Sequence, residues 1–506
     1  MTTYRSKALL IALCAATAAA GLTATVPALA DGPADTIGAQ RPALSWHPCA
    51  KPGGPATQEC AELPVPLDYD APDGPQVSVA VSRIRSDRPE ARRGTLVVLP
   101  GGPGGSGVQR LTQKGAALQK QLAGAYDLVS FDPRGVGGST TAHCDLAPGD
   151  RYLTSLRAWP APDGDISENV ARSQRIAEAC AKNGGPVLRS FTTANQVRDM
   201  DRLRETLGER KLSAWGVSYG TYVGAVYAQK FPERTDRWVL DSSGDPDPQR
   251  VARGWLANMS QGADDRLPDF AAWAAHPDRE KDGLRFAQRP EDVAPRLQAL
   301  AASLDRTPRP STTPGVPLTG NGLRQALQNT LYSDAGFPAF AKLLASLQDP
   351  ANTPALPPEL AQPLRDEDAA QMVAVICNDV TWPRETTASF QRAVDEDRAR
   401  HPFTAGMPVN VQPCSYWKST PDEQPTKITA NGPSNVLMVQ SRRDPSTPHS
   451  KGLKMREALG DRAVLVTVEQ GGHGLYLGNG NACGDRTVTQ FLTTGKRPAR
   501  DVTCAN

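Results

Sequence analysis

The sequence is organised around residues 211–224, which read Lys-Leu-Ser-Ala-Trp-Gly-Val-Ser-Tyr-Gly-Thr-Tyr-Val-Gly. This stretch contains the pattern G-x-S-x-G, in which Ser218 lies between Gly216 and Gly220. A β-leaning run precedes the serine and small residues follow it, as expected for a sharp strand-to-helix turn that exposes a nucleophile. Glycines beside the serine allow the two backbones to pass closely. The pattern alone is weak, because an ordinary glycine-rich turn also satisfies it.

Buried strands and glycine loops alternate with helices on both sides of this stretch. Residues 95–100 form an apolar run that opens into the glycine loop 101–107, and residues 126–131 form a second such run. Runs of this kind are typical of parallel strands buried on both faces. With a further strand expected at 237–240, the order predicts an α/β fold with a mostly parallel sheet flanked by helices.

The composition of the chain changes near residue 247 and changes back near residue 430. Between these points it is rich in alanine, proline and charged residues, with helical patterns that carry apolar faces. Strand-like runs return at 435–440 and 463–468. This order predicts a helical lid at 247–430, inserted into a core made of residues 45–246 and 431–506.

The N-terminus has the three parts of an export signal. Two basic residues precede an apolar run, and Ala28-Leu-Ala30 resembles a cleavage site before Asp31. We therefore predict a signal peptide at 1–30 with cleavage between Ala30 and Asp31, a mobile leader at 31–44, and secretion of the mature protein.

The charge of the mature chain argues against two classes of partner. Removing the signal peptide takes away two basic residues and no acidic ones, which leaves 54 of each and a net charge of zero. Without a basic patch we expect no binding to nucleic acid, and no later apolar run approaches the ~20 residues of a membrane span. No motif implies a cofactor.

Cysteine usage also fits an exported protein. Of the nine cysteines, Cys14 lies in the signal peptide; a lipoprotein interpretation of it is disfavoured because Leu13 stands where a small residue is expected. The other eight are even in number and show no C-x-x-C pattern, so disulfides are favoured over a metal site. Among the possible pairings we prefer those between sequence neighbours, which are Cys49 with Cys60, Cys144 with Cys180, Cys377 with Cys414, and Cys483 with Cys504.

A serine nucleophile requires a base, and the base requires an orienting acid. In α/β-hydrolases the order along the chain is serine, acid, histidine. Only His449 and His473 follow the predicted lid, and the glycine-flanked His473 is the better base. Asp444 follows the strand-like run at 435–440 and is the preferred acid, with Asp241 as the alternative.

The same chemistry requires two donors for a developing oxyanion. We expect one to be the backbone N–H of Tyr219, directly after Ser218, and the other to be that of Gly102 in the loop 101–107. This loop lacks the G-x-G-x-x-G and Gly-Lys-Ser/Thr spacings of phosphate-binding loops.

Taken together, these motifs resemble the secreted tripeptidyl aminopeptidase family of actinobacterial α/β-hydrolases, which are relatives of the proline iminopeptidases. The resemblance extends from about residue 46 to residue 504. One departure is Pro100, where many iminopeptidase relatives carry histidine. The matching segments are Leu63-Pro-Val-Pro-Leu-Asp-Tyr69, Gly101-Gly-Pro-Gly-Gly-Ser-Gly107, Phe131-Asp-Pro-Arg-Gly135, Gly216-Val-Ser-Tyr-Gly-Thr-Tyr222, Asp444-Pro-Ser-Thr-Pro448 and Gly471-Gly-His-Gly474.

The resemblance implies a triad of Ser218, Asp444 and His473 that removes short peptides from free N-termini. It also implies that the lid closes the cleft and supplies acidic groups for the substrate's α-ammonium. Asp379 and Glu385 are the candidates for that role, although both also suit ordinary surface charges of a lid. Three alternatives remain: a prolyl aminopeptidase, an esterase or amidase for small non-peptide substrates, and a non-catalytic binding protein on a hydrolase scaffold.

Overall fold

The computed structural model describes residues 44–49, 52–151, 157–249 and 251–505. The predicted signal peptide, with Cys14, lies outside these residues. So does the predicted leader except for Leu44, which packs against the main hydrophobic core.

Ten strands among the described residues form one sheet, in the order β1-β2-β3-β5-β4-β6-β7-β8-β9-β10. All pairs from β5 to β10 are parallel, whereas β1, β2 and β3 add an antiparallel edge. The strands are β1 (His47–Pro48), β2 (Gln58–Pro66), β3 (Gln76–Ile84), β4 (Thr95–Leu99), β5 (Asp127–Phe131), β6 (Leu212–Val217), β7 (Thr235–Asp241), β8 (Val436–Arg443), β9 (Ala463–Gly471) and β10 (Val502–Cys504).

Helices cover both faces of this sheet. They are α1 (Gly107–Leu122), α2 (Ser167–Asn183), α3 (Gly185–Arg189), α4 (Thr193–Thr206), α5 (Tyr219–Lys230), α6 (Val251–Ala275), α7 (Val293–Arg306), α8 (Gly320–Thr330), α9 (Phe337–Gln348), α10 (Pro358–Ala361), α11 (Asp366–Asp379), α12 (Thr387–Arg400), α13 (His449–Leu459) and α14 (Ala482–Thr494). Successive residues of the central strands belong to two hydrophobic clusters, one on each face of the sheet. Val97 packs with α4 and α5 on one face, and Val98 packs with α1 and α14 on the other. Every residue of β4 and β6 is buried, so the expectation of a mostly parallel sheet flanked by helices is confirmed.

The chain between β7 and β8 contains α6 to α12, within the limits of the predicted lid. Much of this segment packs around a hydrophobic cluster of its own, which includes Phe270, Phe337 and Phe340. In contrast, α11 buries Ala370 and Ala374 in the main core beside the sheet. The segment is therefore joined to the core through α11, and its action as a lid stays a prediction.

Four disulfides link the eight described cysteines, in the nearest-neighbour order preferred from the sequence. The bonds join Cys49 with Cys60, Cys144 with Cys180, Cys377 with Cys414, and Cys483 with Cys504.

Each of these bonds fastens a segment to a neighbour. Cys60 lies in β2 and is bonded to Cys49, directly after the edge strand β1, whereas Cys180 lies in α2 and holds this helix to the chain after β5. The third bond fastens the last turn of α11 to the chain ahead of β8, and the fourth joins α14 to β10. None of the described helices has the length and apolar character needed to cross a membrane.

Candidate active site

Ser218 occupies a strained turn between β6 and α5. Its φ and ψ are 57° and −125°, a conformation that L-residues rarely adopt and that is typical of a nucleophile elbow. A Cβ on Gly216 would lie 2.3 Å from the carbonyl oxygen of Gly220, and a Cβ on Gly220 would lie 2.4 Å from that of Leu99. Only glycine fits at these two positions, which explains the G-x-S-x-G pattern in steric terms.

Asp444 and His473 follow the ends of the neighbouring parallel strands β8 and β9, which brings them together. The Nδ1 of His473 lies 2.9 Å from each carboxylate oxygen of Asp444. The carboxylate is fully buried and also accepts hydrogen bonds from the backbone N–H groups of Ser446 and Thr447, at 2.9 and 2.8 Å. These donors orient the carboxylate toward the imidazole.

The other ring nitrogen of His473, Nε2, is buried and has no hydrogen-bond partner among the described residues. Its ring and Ser218 line the same cavity. Catalytic hydrogen bonds are often long in unliganded enzymes and shorten when substrate binds. Nε2 is therefore the ring atom available to accept the serine proton.

Tyr332, which follows α8, also positions His473. The backbone N–H of His473 donates to the Tyr332 carbonyl at 2.9 Å, and the two rings meet edge to face with centroids 5.1 Å apart. The sequence analysis missed this residue, because it lies in a lid segment with no recognisable motif.

The alternative acid, Asp241, has a different position. It is fully buried at the end of β7 and accepts hydrogen bonds from the N–H groups of Leu475 and Tyr476 at 2.8 and 2.9 Å. Burial raises the pKa of this carboxyl group. Asp241 thus holds the loop that follows His473, whereas Asp444 contacts the imidazole itself.

The alternative base, His449, lies at the start of α13. Its Nε2 is 3.0 Å from Thr467 Oγ1, and burial lowers its pKa. His449 is thus engaged at the side of β9 and does not contact Asp444.

The glycine loop after β4 passes directly over Ser218. A Cβ on Gly101 would lie 2.7 Å from the Cβ of Ser218, so the loop leaves no room for a side chain at this position. Asp132 holds the loop, since its Oδ1 accepts hydrogen bonds from Ser106 Oγ at 2.6 Å and from Val108 N–H at 3.0 Å. Gly102 and Tyr219, the predicted oxyanion donors, both line the space around Ser218.

Two cavities meet at Ser218. The larger has a volume of about 570 Å³ and is lined by His473, Asn479 and Tyr332. The smaller has a volume of about 60 Å³, is mostly apolar, and has Asp379 in its wall. Further members of its lining are Tyr222, Trp255, Leu256, Val375 and Ile376.

Asp379 accepts hydrogen bonds from the backbone N–H of Thr193, at 2.7 Å, and from its hydroxyl group. The same hydroxyl contacts the phenol of Tyr219, next to the nucleophile. Burial raises the pKa of Asp379 to about 7, against the opposing effect of these hydrogen bonds. A buried carboxyl group with a raised pKa beside a nucleophile is typical of a functional site.

The two residues before Asp379 fix its position. Cys377 is bonded to Cys414, and the Asn378 side chain donates to the Leu188 carbonyl at 3.0 Å.

The other candidate for the acidic role, Glu385, lies just before α12 and accepts a hydrogen bond from Ser389. Its side chain is 37% exposed, 3.8 Å from Arg253, and it lines neither cavity at Ser218. The structure therefore separates the two candidates.

Comparisons with known proteins point to one group of hydrolases. A family model described as "TAP-like protein" matches residues 401–504. The chain is 33% identical to the tripeptidyl aminopeptidase of Streptomyces lividans, over 92% of this chain and 87% of that protein. It is also 29% identical to two proteins of Mycobacterium tuberculosis. The match to the serine protease Hip1 covers 91% of each chain, and the match to carboxylesterase B covers 96% of each chain.

Proposed function

Since the chain belongs to the tripeptidyl aminopeptidase family and is a serine peptidase with an α/β-hydrolase fold, we propose that it is a secreted enzyme that removes tripeptides from free N-termini. The observation that carries the proposal is the position of Asp379. A carboxylate fixed in the wall of a cavity that begins at Ser218 suits the α-ammonium of a substrate whose scissile carbonyl lies at the serine.

In the proposed mechanism, Ser218 Oγ attacks the scissile carbonyl while His473 Nε2 takes the hydroxyl proton. Asp444 keeps the imidazole oriented and stabilises the imidazolium. The N–H groups of Tyr219 and Gly102 bind the oxyanion of the tetrahedral intermediate. His473 then gives the proton to the leaving amine, and an acyl-enzyme remains.

Deacylation repeats these steps with water as the nucleophile. His473 Nε2 takes a proton from the water, the hydroxide oxygen attacks the ester carbonyl, and the proton returns to Ser218 Oγ as the peptide acid leaves. The same two backbone donors stabilise the second oxyanion.

Selection of substrate length is the part of the proposal that depends on the small cavity. Three extended residues span at most about 10 Å, whereas the space between Ser218 and Asp379 has only about 60 Å³. Ordinary ligand pockets have roughly 300–1,000 Å³. We therefore propose that α6, which carries Trp255, moves away from α11 when a tripeptide binds.

Secretion is supported by two independent features. Four disulfides are typical of exported proteins, because the cytosol keeps thiols reduced. The signal peptide predicted at 1–30 would supply the export route.

One observation favours a second candidate, a prolyl aminopeptidase. A cavity of about 60 Å³ accommodates a single small residue more readily than three, and Asp379 would then bind the amine of that residue.

An esterase needs the same triad and oxyanion donors, and carboxylesterase B is among the similar proteins.

A panel of chromogenic substrates separates these activities: a tripeptidyl p-nitroanilide with a free amine, its N-acetylated form, proline p-nitroanilide and p-nitrophenyl acetate. We expect the free-amine tripeptide to have the highest kcat/KM. Equal turnover of the acetylated form would exclude an aminopeptidase, and cleavage of the ester alone would identify an esterase. Ser218→Ala, checked for folding by circular dichroism, is the control for turnover by a contaminant.

A further inference from the structure

Three basic side chains line the larger cavity at Ser218, and neither the triad nor the proposed binding of the amine uses them. Arg110 and Lys114 lie one turn apart on α1, and Arg157 precedes α2. No sequence motif points to this cluster, because Arg157 is far along the chain from the pair on α1.

These cations have neutral partners. Lys114 Nζ donates to the Leu477 carbonyl at 2.7 Å. Arg157 is 8% exposed and donates to Asn329 Oδ1 at 2.6 Å and to the Tyr332 hydroxyl at 3.1 Å.

Arg110 has fewer hydrogen-bond partners than Lys114 or Arg157. Its guanidinium lies over the Trp215 ring at 5.2 Å, and its Nε is buried with no hydrogen-bond partner among the described residues. Within the described part of the chain, none of the three cations forms an ion pair with a carboxylate. The two carboxylates whose charge acts on Arg110 or Lys114 are engaged elsewhere: Asp241 binds the loop after His473, and Asp485 accepts the N–H of Leu477.

Partly buried cations carry a desolvation penalty, and an incoming anion offsets part of it. Burial lowers the pKa of both Arg110 and Lys114, and the charge of Arg110 lowers that of Lys114 further; the charge of Asp241 acts in the opposite direction on both groups, as does that of Asp485 on Lys114. A carboxylate bound in this cavity would therefore be stabilised by the neighbouring cations.

The position of His473 identifies which part of a substrate enters this cavity. In a serine peptidase the histidine hands its proton to the leaving amine, so the leaving peptide departs on the histidine's side of the serine. His473 lines the cavity with the three cations, whereas Asp379 lines the other.

We infer that Arg110, Lys114 and Arg157 form a carboxylate-binding subsite for the leaving peptide. This inference rests on the proposed peptidase function. Such a subsite makes the enzyme selective on both sides of the scissile bond. The carboxylate is either the C-terminus of a short leaving peptide or an acidic side chain near the new N-terminus.

Three pentapeptides test the inference by kinetics. They share one tripeptidyl part and end in Gly-Gly with a free carboxylate, in Gly-Gly amide, or in Asp-Gly amide. We expect at least one of the two acidic peptides to have a kcat/KM about tenfold above that of the Gly-Gly amide, as for a hydrogen bond to a charged group. The peptide that gains identifies the source of the carboxylate.

The informative variant is the pair Arg110→Gln and Lys114→Gln, because Arg157 also contacts Tyr332 and so touches the support of His473. We expect the tenfold ratio to fall toward one in this double variant. Lys120→Gln is the matched control, since Lys120 is an exposed cation on the same helix and should leave the ratio unchanged. A ratio within about twofold of one in the native enzyme, or one that persists in the double variant, overturns the inference.

A binding measurement separates failure of the inference from failure of the proposed function. Calorimetric titration needs no turnover and can use three ligands: Gly-Gly, Gly-Gly amide and Asp-Gly amide. Tighter binding of an acidic ligand, by about tenfold and lost in the double variant, supports the subsite even if the substrate panel identifies an esterase. Equal affinities for all three ligands overturn it even if the panel identifies a tripeptidyl aminopeptidase.

Discussion

Replacing Asp379 by asparagine removes the negative charge that we propose binds the substrate's α-ammonium, and it changes the shape of the side chain little. Removing one partner of a buried, hydrogen-bonded charge pair costs about 2–5 kcal/mol. At about 1.4 kcal/mol per factor of ten, kcat/KM for a free-amine tripeptidyl p-nitroanilide should fall roughly 30- to 4,000-fold. The N-acetylated peptide has no charge to lose, so its slow turnover should change less than about threefold.

The pH dependence provides a second readout of the same variant. Because burial raises the pKa of Asp379 to about 7, this carboxyl group is charged mainly above pH 7. The preference for the free-amine peptide over its acetylated form should therefore rise through pH 7. It should fall again as the substrate amine loses its proton near about pH 8. The ratio of the two substrates cancels the pH dependence of the catalytic steps that they share, because both substrates use the same triad.

Assays of both peptides between about pH 6 and 9, in the native enzyme and in the variant, check this reasoning. In Asp379→Asn the rise through pH 7 should be absent. Glu385→Gln is the control, because Glu385 is a carboxylate of the same segment that lies outside both cavities, and it should alter the ratio less than about twofold. An equal loss for the two peptides in Asp379→Asn would refute the ammonium site, since it would mean that the residue supports the fold or the triad.

Three further predictions concern the triad, its support and the small cavity. Asp444→Asn should lower kcat by about 10³–10⁴ with little change in Tm, because it leaves His473 in place but favours the wrong tautomer; steady-state kinetics and thermal unfolding measure the two effects. Asp241→Asn should mainly lower stability, by about 1–3 kcal/mol, because the amide leaves a buried backbone N–H of Leu475 or Tyr476 without an acceptor. A loss of kcat as large as that of Asp444→Asn would mean that the roles of the two carboxylates are reversed. Trp255→Ala should enlarge the cavity at Ser218 and raise kcat/KM for tripeptides with bulky residues relative to those with alanine, and an unchanged ratio would remove Trp255 from the substrate path.

The parts of this molecule that the sequence predicts are those encoded by short segments. The elbow depends on two glycines within two residues of Ser218, and the strands β4 and β6 are uninterrupted apolar runs. The disulfides join neighbouring cysteines, which is the pairing preferred from their order in the sequence. The fold class followed because these local signals alternate in a regular order.

The parts that the sequence did not predict depend on contacts between distant segments. Among the helices predicted only as a group between residues 247 and 430, the bounds of α6, the longest described helix, are not visible in the sequence, because Gly262 and Pro268 interrupt its helical pattern. The structure explains the glycine, since a Cβ there would lie 2.6 Å from the Pro445 carbonyl in the loop after Asp444. Asp379 and Glu385 are both lid carboxylates in the sequence, and only the packing of α11 on the core distinguishes them.

The route by which the chain leaves and re-enters the sheet has a consequence for how this protein family diversifies. The long helical segment departs after Asp241 and returns before Val436, and β7 and β8 are hydrogen-bonded parallel neighbours with Trp238 opposite Val436. Because the two strands run in the same direction, the segment crosses from the carboxyl end of β7 to the amino end of β8. On the way it contacts both catalytic loops, since Tyr332 binds the backbone of His473 and Gly262 lies against the loop after Asp444. Exchange of this segment between homologues would therefore change the surroundings of the catalytic acid and base together with the substrate cavities, and new substrate preferences gained in this way require matching changes around both loops.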